Sequence, residues 1–168
     1  MEKQKPAERA GQKNEQDNVL AGKYLTFKLG GEEYGLEILK VREIIGLMDI
    51  TPVPRSRHYI KGVINLRGKV IPVIDLRLKL GLDEKEYTDR TCIVVVETVE
   101  DEVTALVGVV VDSVSEVVNI QGGQIDTTFG LDSAVSSQYI LGMAKTDSGL
   151  KILLDTDAAL DGATSLDS

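Results

Sequence analysis

Apolar and polar residues alternate along several short stretches of the chain, which is the pattern of half-buried β-strands. Residues 24–29 alternate in this way and end at the turn Gly30-Gly31, which leads into a second stretch at 34–38, so a hairpin is predicted. Further strands are predicted at residues 61–65, 70–75, 91–99, 103–111 and 150–155. Short helices are predicted at 38–45 and 76–80.

Composition supports a β-rich fold. Val and Ile together number 32, whereas Ala numbers nine. Branching at Cβ favours the pleated, half-buried surface of a sheet over a helix. The predicted fold class is therefore all-β, with a few short helices.

An internal repeat indicates how the strands are organised. Residues 58–80 align without gaps onto 138–160 at a shift of 80, with Tyr, Gly and Asp identities at positions 59, 62 and 75. A shift of 73 aligns Gly35, Val41 and Glu43 with Gly, Val and Glu of the second half. The repeat predicts two related β-barrels, at 22–88 and 89–160. Polar tails are predicted at 1–21, which is expected to be disordered, and at 161–168.

Charge and hydropathy exclude several classes of partner. The 19 Lys and Arg against 27 Asp and Glu give a net charge of -8, which disfavours binding to nucleic acid. The longest apolar stretch, 103–111, falls far short of the roughly 20 residues that a membrane-spanning helix needs. A single cysteine, Cys92, can form no internal disulfide. We expect a soluble, cytoplasmic protein without direct membrane insertion.

Candidate catalytic chemistry is sparse. One His and one Cys cannot assemble a zinc cluster of Cys and His ligands, so no metal or cofactor is expected. Asp147-Ser148-Gly149 matches the aspartic-protease triplet, which leaves a hydrolase that uses Asp147 and another acid as the alternative function. The repeat places Arg67-Gly68-Lys69 at the equivalent loop, where a second carboxylate would be required. A β-turn is the simpler interpretation of Asp147.

Four segments together resemble the CheW family of bacterial chemotaxis coupling proteins. They are YLTFKLG at 24–30, EYGLEILKVREII at 33–45, YIKGVINLRGKVIPVIDLR at 59–77 and VGVVVDSVSEVV at 107–118. The resemblance extends over residues 24–160. It implies two five-stranded SH3-like β-barrels around a shared apolar core, related by the internal repeat.

The resemblance also implies a function. Proteins of this family are non-enzymatic adaptors that join the cytoplasmic tip of chemoreceptors to the regulatory domain of the histidine kinase CheA. Such a protein is cytoplasmic and is associated with membrane receptor arrays through protein contacts. The family serves chemotaxis and related motility or developmental pathways, and the sequence does not distinguish among them.

The family's binding surfaces map onto particular residues of this sequence. The receptor-binding groove maps onto a set of mostly aliphatic residues with one pair of opposite charge: Ile38, Val41, Glu43, Ile44, Ile45, Arg67, Val107, Val114 and Val117. Glu43 and Arg67 are expected to form an ion pair beside this groove. The kinase-binding face is expected within 46–57, at Gly46, Leu47, Asp49, Ile50 and Arg57.

Overall fold

The computed structural model describes residues 20–127 and 137–164. Within these ranges the chain is mostly β, with two sheets and a few short helices, as the composition predicts. The predicted disordered tail lies outside the described residues, apart from Leu20 and Ala21.

One sheet is built from both ends of the chain. Its strands are β1 (Gly22–Leu29), β2 (Glu32–Glu37), β8 (Ser113–Ile120), β9 (Ile125–Asp126), β10 (Ile140–Thr146) and β11 (Gly149–Leu154). Their order is β8-β1-β2-β11-β10-β9, and β2 and β11 are the parallel neighbours. This sheet has six strands in the described residues where five were predicted, because the two-residue β9 pairs with β10.

The other sheet is built from the middle of the chain. Its strands are β3 (Val41–Gly46), β4 (Ile60–Leu66), β5 (Lys69–Asp75), β6 (Cys92–Glu100) and β7 (Val103–Val111). Their order is β3-β6-β7-β5-β4, with β5 and β7 parallel. In the described residues the first and last strands of each sheet do not pair, so neither sheet closes into a barrel. The SH3-like barrel form stays a prediction.

Both sheets bury apolar side chains on both faces. In β6, Val94 and Val96 lie in a core shared by the two sheets, whereas Ile93 and Val95 lie in a smaller core on the outer face. The six-stranded sheet has its own outer core, which includes Tyr24. The period of two in the strands therefore creates three apolar layers, with the shared core in the middle.

The repeat is visible in equivalent elements. The hairpins β4–β5 and β10–β11 lie 80 residues apart, and β4 and β10 have the same alternation of burial. Each hairpin leads into one helical turn, α1 (Leu76–Lys79) or α2 (Thr156–Ala159). Asp75 and Asp155 cap these turns, because their side chains accept hydrogen bonds from backbone N–H groups that would otherwise lack a partner.

The sheets do not follow the predicted division at residue 88. The hairpin β1–β2 belongs to the first repeat but pairs with β11 of the second, and β6–β7 belongs to the second but pairs with β5 of the first. Each repeat thus completes the sheet of the other. A glycine lies at each parallel junction, where Gly35 faces Leu153 and Gly108 faces Val73.

Two local predictions are wrong. The predicted helix at 38–45 is a short 3-10 turn, Ile38–Lys40, followed by β3, because this β-branched segment pairs with β6 along its length. The predicted C-terminal tail is packed at its start: Ala163 is fully buried in the shared core, and the N–H of Gly162 donates to Glu100 Oε1 at 3.0 Å.

Gly108→Ala is expected to lower the free energy of unfolding by about 1–3 kcal/mol, the usual cost of overpacking a core. A Cβ at this position would lie 2.9 Å from Ile93 Cγ2 and 3.3 Å from Val73 Cγ2. Urea unfolding measures the change. Gly31→Ala is the matched control, since its Cβ would meet nothing within 4 Å. Equal stability of both variants would contradict the close parallel junction.

Candidate functional site

The edge strands β3 and β8 border the shared core. Residues opposite each other in an antiparallel ladder point to the same face. In β3, Val41 lies opposite Val96 and Ile44 opposite Val94, and both partners are buried in the shared core. Val41 and Ile44 therefore face the side on which the two sheets meet.

Strand β8 presents equivalent positions from the other sheet. Val114 lies opposite Phe27 and Val117 opposite Leu25, and both partners are again buried in the shared core. The shift of 73 residues that relates Val41 to Val114 also relates Ile44 to Val117. The two edge strands thus offer matching apolar side chains along the border of the core.

These side chains are incompletely covered. Val41 and Val114 are partly buried against the shared core, and Ile38 packs beside them from the 3-10 turn. Ile44 remains 45% exposed and Val117 51% exposed. We call these five residues the apolar rim. It is a strip of aliphatic surface that a partner can cover.

Two residues predicted in the groove lie elsewhere. Val107 is fully buried, because β7 lies between β5 and β6 and packs into the shared core. Its assignment to an exposed groove is wrong. Ile45 faces away from the apolar rim and packs against the outer core, because alternation along β3 places it on the opposite face from Ile44.

Glu43 and Arg67 form the expected ion pair. Both terminal nitrogens of Arg67 contact the Glu43 carboxylate, with Nη1 3.4 Å from Oε2, and this contact raises the pKa of Arg67. Glu43 lies opposite Val95 of the outer core, so the pair is on the face of β3 that points away from the apolar rim. The ion pair and the rim share one edge strand.

A tight turn presents Arg67 at the end of β4. Arg67 and Gly68 have φ values of 53° and 86°, the left-handed pair that suits a two-residue hairpin turn. Asn65 Oδ1 accepts a hydrogen bond of 2.8 Å from the N–H of Gly68, which holds the turn closed. Arg67 is 71% exposed despite its partner, so its cation remains accessible.

The ion pair lies in an open cleft of about 610 Å³. Ile71 and Val95 contribute apolar walls, and a second ion pair, Arg42 with Glu97, lies at its edge together with Lys69. Sequence reasoning missed these three charged residues. Strict alternation would place Arg42 on the opposite face of β3 from Glu43. A register shift between Val41 and Glu43 interrupts the alternation, and both residues line the cleft. No local sequence pattern pairs Arg42 with Glu97.

The predicted kinase-binding residues fall into three environments. Gly46, the last residue of β3, is exposed, as are Leu47 and Asp49 after it, whereas Ile50 packs against the outer core. Arg57 lies near Gly162, with Nη1 of Arg57 3.5 Å from Tyr59 Oη. The exposed part of this predicted face is therefore 46–49, and its role stays a prediction.

The six-stranded sheet has a different group at the position equivalent to Ile71. Lys151 has a fully buried side chain, and its ammonium contacts Glu33 and the carbonyl of Ser148. The hydrogen bond from Lys151 lowers the pKa of Glu33. The two halves of the molecule therefore share their backbone pattern but not their polar chemistry.

Other candidate groups lie apart from the apolar rim or are partly covered. Asp147 is exposed in the β10–β11 turn, and His58 packs edge-on against the Tyr59 ring. Burial raises the pKa of the Cys92 thiol.

Across 20–127 and 137–164, no three His, Cys, Asp or Glu side chains form a metal-binding group. None of the helices in those ranges is long and apolar enough to cross a membrane.

Comparison with known proteins places this architecture in one family. The profile of the CheW-like domain matches residues 23–164. A chemotaxis protein CheW of Klebsiella aerogenes is 36% identical over 137 residues, which cover 82% of this chain and 80% of the relative. A chemotaxis protein CheW of Helicobacter pylori is 40% identical over 126 residues, covering 74% and 72%.

A solved structure extends the comparison to the fold. The crystal structure of the scaffolding protein TtCheW from Thermoanaerobacter tengcongensis superposes with a TM-score of 0.74 at 32% identity, covering 84% of this chain and 93% of that one. The sequence and structure comparisons therefore point to the same family. The chain belongs to the CheW-like domain family and is a chemotaxis coupling scaffold.

Proposed function

We propose that this chain is a non-enzymatic adaptor that joins the cytoplasmic tip of chemoreceptors to the regulatory domain of the histidine kinase CheA. The observation that carries the proposal is the apolar rim, whose most exposed members, Ile44 and Val117, occupy equivalent positions on two edge strands. The adaptor acts in the cytoplasm and reaches membrane receptor arrays through protein contacts. It needs no cofactor.

The apolar rim suits a helical receptor segment. A helix that inserts an apolar face between two edge strands removes Val41, Ile44 and Val117 from water, and each buried CH₂ contributes about 0.8 kcal/mol. Ile38, Val41 and Val114 of the rim pack against the shared core, so these side chains are already ordered and lose little entropy on binding. The Glu43–Arg67 pair on the other face of β3 fixes the adjoining turn.

The kinase is proposed to contact a separate surface. Residues 46–49 begin at the last residue of β3 and expose Leu47, at 40%, and Met48, at 36%. The backbone pairing between Thr51 and Val63 anchors the far side of this segment. A surface at the end of β3 leaves the apolar rim free, which is what an adaptor with two partners requires.

Co-sedimentation tests the adaptor proposal. Receptor-containing membranes, the kinase and this chain are mixed, and each component is omitted in turn. The proposal expects the kinase to sediment with membranes only when the chain is present. Kinase recovery that is independent of the chain, or a chain that stays in the supernatant, would refute it.

Arg67→Ala is expected to weaken receptor binding about tenfold while the melting temperature changes little. The side chain is largely exposed and adds little to the core, but it orients the turn beside β3. Titration with a soluble receptor-tip fragment, alongside a thermal melt, measures both effects. Lys61→Ala, which breaks the separate Lys61–Glu84 pair, is the control and should bind normally.

Val41→Asp is expected to weaken receptor binding by more than about tenfold, because the partner helix would have to desolvate a carboxylate. Since Val41 is only partly buried, the folded state should survive with a loss of about 1–3 kcal/mol. Calorimetric titration and urea unfolding separate the two effects.

Val103→Asp is the matched control for Val41→Asp. Val103 is 62% exposed and lies outside the apolar rim, so the same new charge should leave binding unchanged. Wild-type affinity in a folded Val41→Asp variant would remove this residue from the interface.

A further inference from the structure

Two adjoining cavities lie where the loop before β6 meets the start of β8. Their volumes are about 260 Å³ and 580 Å³, and Lys28, Arg90 and Ser113 line both of them. Lys28 lies opposite Ser113 in the β1–β8 ladder and points away from the shared core, because the neighbouring pair of Phe27 and Val114 faces that core. We call them the basic cavities. Val114 is the one residue of the apolar rim that also lines them.

Two of the carboxylates that line the basic cavities are neutralised from outside. Asp112 accepts a hydrogen bond of 2.8 Å from Arg77 Nη1, and Glu33 contacts the buried ammonium of Lys151. Neither of these two cations lines the cavities. The third carboxylate, that of Glu86, is exposed. The charge that a ligand meets is therefore set mainly by the cations of the lining.

Those cations have little compensation of their own. Within 20–127 and 137–164, neither Lys28 nor Arg90 forms an ion pair. Lys28 lies opposite Glu33, but that carboxylate already contacts Lys151. Lys85 Nζ is 3.9 Å from an aspartate oxygen that a closer arginine binds. The three lining cations thus leave an excess of positive charge at this place, in a chain whose net charge is -8.

Hydroxyl groups add neutral donors between the cations. Thr88 Oγ1 accepts a hydrogen bond of 3.1 Å from the N–H of Arg90, and Thr91 Oγ1 accepts one of 2.8 Å from the N–H of Thr88. Each hydroxyl is the acceptor in these bonds, so its own proton remains available to a ligand oxygen. The same two bonds hold the turn that carries Arg90. Both threonines line the smaller cavity.

This lining suits an extended oxyanion. Guanidinium and ammonium groups form strong, charge-assisted hydrogen bonds with phosphate oxygens. Lys28 and Arg90 stand where the two cavities join, whereas Lys85 lines the smaller one alone, so a ligand that meets all three cations must extend beyond the junction. Among the described residues no aromatic side chain lines either cavity, so a nucleobase finds no ring on which to stack.

We propose that the basic cavities bind a small polyphosphate-type anion. One phosphate group lies between Lys28 and Arg90, and the next extends toward Lys85 and the threonine hydroxyls. The ligand joins β1, the loop before β6 and the start of β8, which are three separate segments of the chain. The inference goes beyond the proposed adaptor function and does not depend on the receptor or the kinase.

Titration of the full chain with pyrophosphate tests the inference. Divalent cations are left out, ionic strength is held constant, and backbone amide shifts locate the ligand. We expect saturable shifts confined to 28–30, 85–92 and 112–115. Orthophosphate should bind at least about tenfold more weakly, because it meets fewer of the cations. Adenosine diphosphate should bind no more tightly than pyrophosphate, because its base gains no stacking contact.

Charge-removing variants provide the second test. Lys28→Gln and Arg90→Gln should each weaken pyrophosphate binding at least about threefold. Lys23→Gln is the matched control: Lys23 is exposed on the same strand as Lys28 and lines neither cavity, so the same loss of charge should leave the affinity unchanged. Thermal melts verify that the variants fold, and either of the first two is sufficient for the comparison.

Several results would overturn the inference. An equal loss of affinity in all three variants, or shifts spread over the whole surface, would reduce binding to general attraction between charges. Orthophosphate as tight as pyrophosphate would contradict a ligand that extends beyond the junction, and a much tighter adenosine diphosphate would contradict recognition of phosphate alone. Absence of pyrophosphate binding would remove the site and leave the adaptor function intact, since that function is measured with receptor and kinase.

Discussion

Two parallel strand junctions hold the whole architecture together. β2 pairs with β11 and β5 pairs with β7, so each repeat places its first hairpin in the sheet that the other repeat builds. Gly35 and Gly108 lie at these junctions, where a Cβ would be 2.9–3.1 Å from a neighbouring apolar carbon. Neither sheet can be completed by one repeat, so the two repeats form a single interdependent unit.

The same exchange creates the apolar rim, the proposed binding surface. Because the hairpins cross between sheets, β3 and β8 are left at the edges, and both border the shared core. An edge strand has two usable faces. In β3 one face carries Val41 and Ile44 of the apolar rim, and the other carries Glu43 with its partner Arg67. A rigid core thus positions an apolar surface and a charged cleft on opposite faces of one strand.

Local patterns predict much of this structure. Alternation predicts β1, β2, β6 and β7, the repeat predicts the equivalence of β4–β5 and β10–β11, and the Glu43–Arg67 pair follows from the family resemblance. The segment 38–45 was misassigned because its apolar spacing fits a helix as well as an edge strand. Pairing with β6 decides between the two.

Long-range partners could not be predicted from one sequence. Period-two alternation shows that the strand of Val107 has an apolar face. It does not show that β5 pairs with this strand, so the complete burial of Val107 is not predicted. Lys151 has the sequence signature of an exposed strand residue. Its burial depends on Glu33, which is 118 positions away in the chain. Both residues depend on which strands become neighbours, and the exchange of hairpins determines that.

Separate expression of residues 1–88 and 89–168, followed by mixing, tests the interdependence of the repeats most directly. Each fragment lacks the hairpin that completes its sheet, so each should show little β-structure by far-ultraviolet circular dichroism and no cooperative melt. An equimolar mixture should recover the spectrum and a single melting transition of the full chain. A cooperative melt of either fragment alone would contradict the exchanged architecture and favour the predicted division into barrels at 22–88 and 89–160.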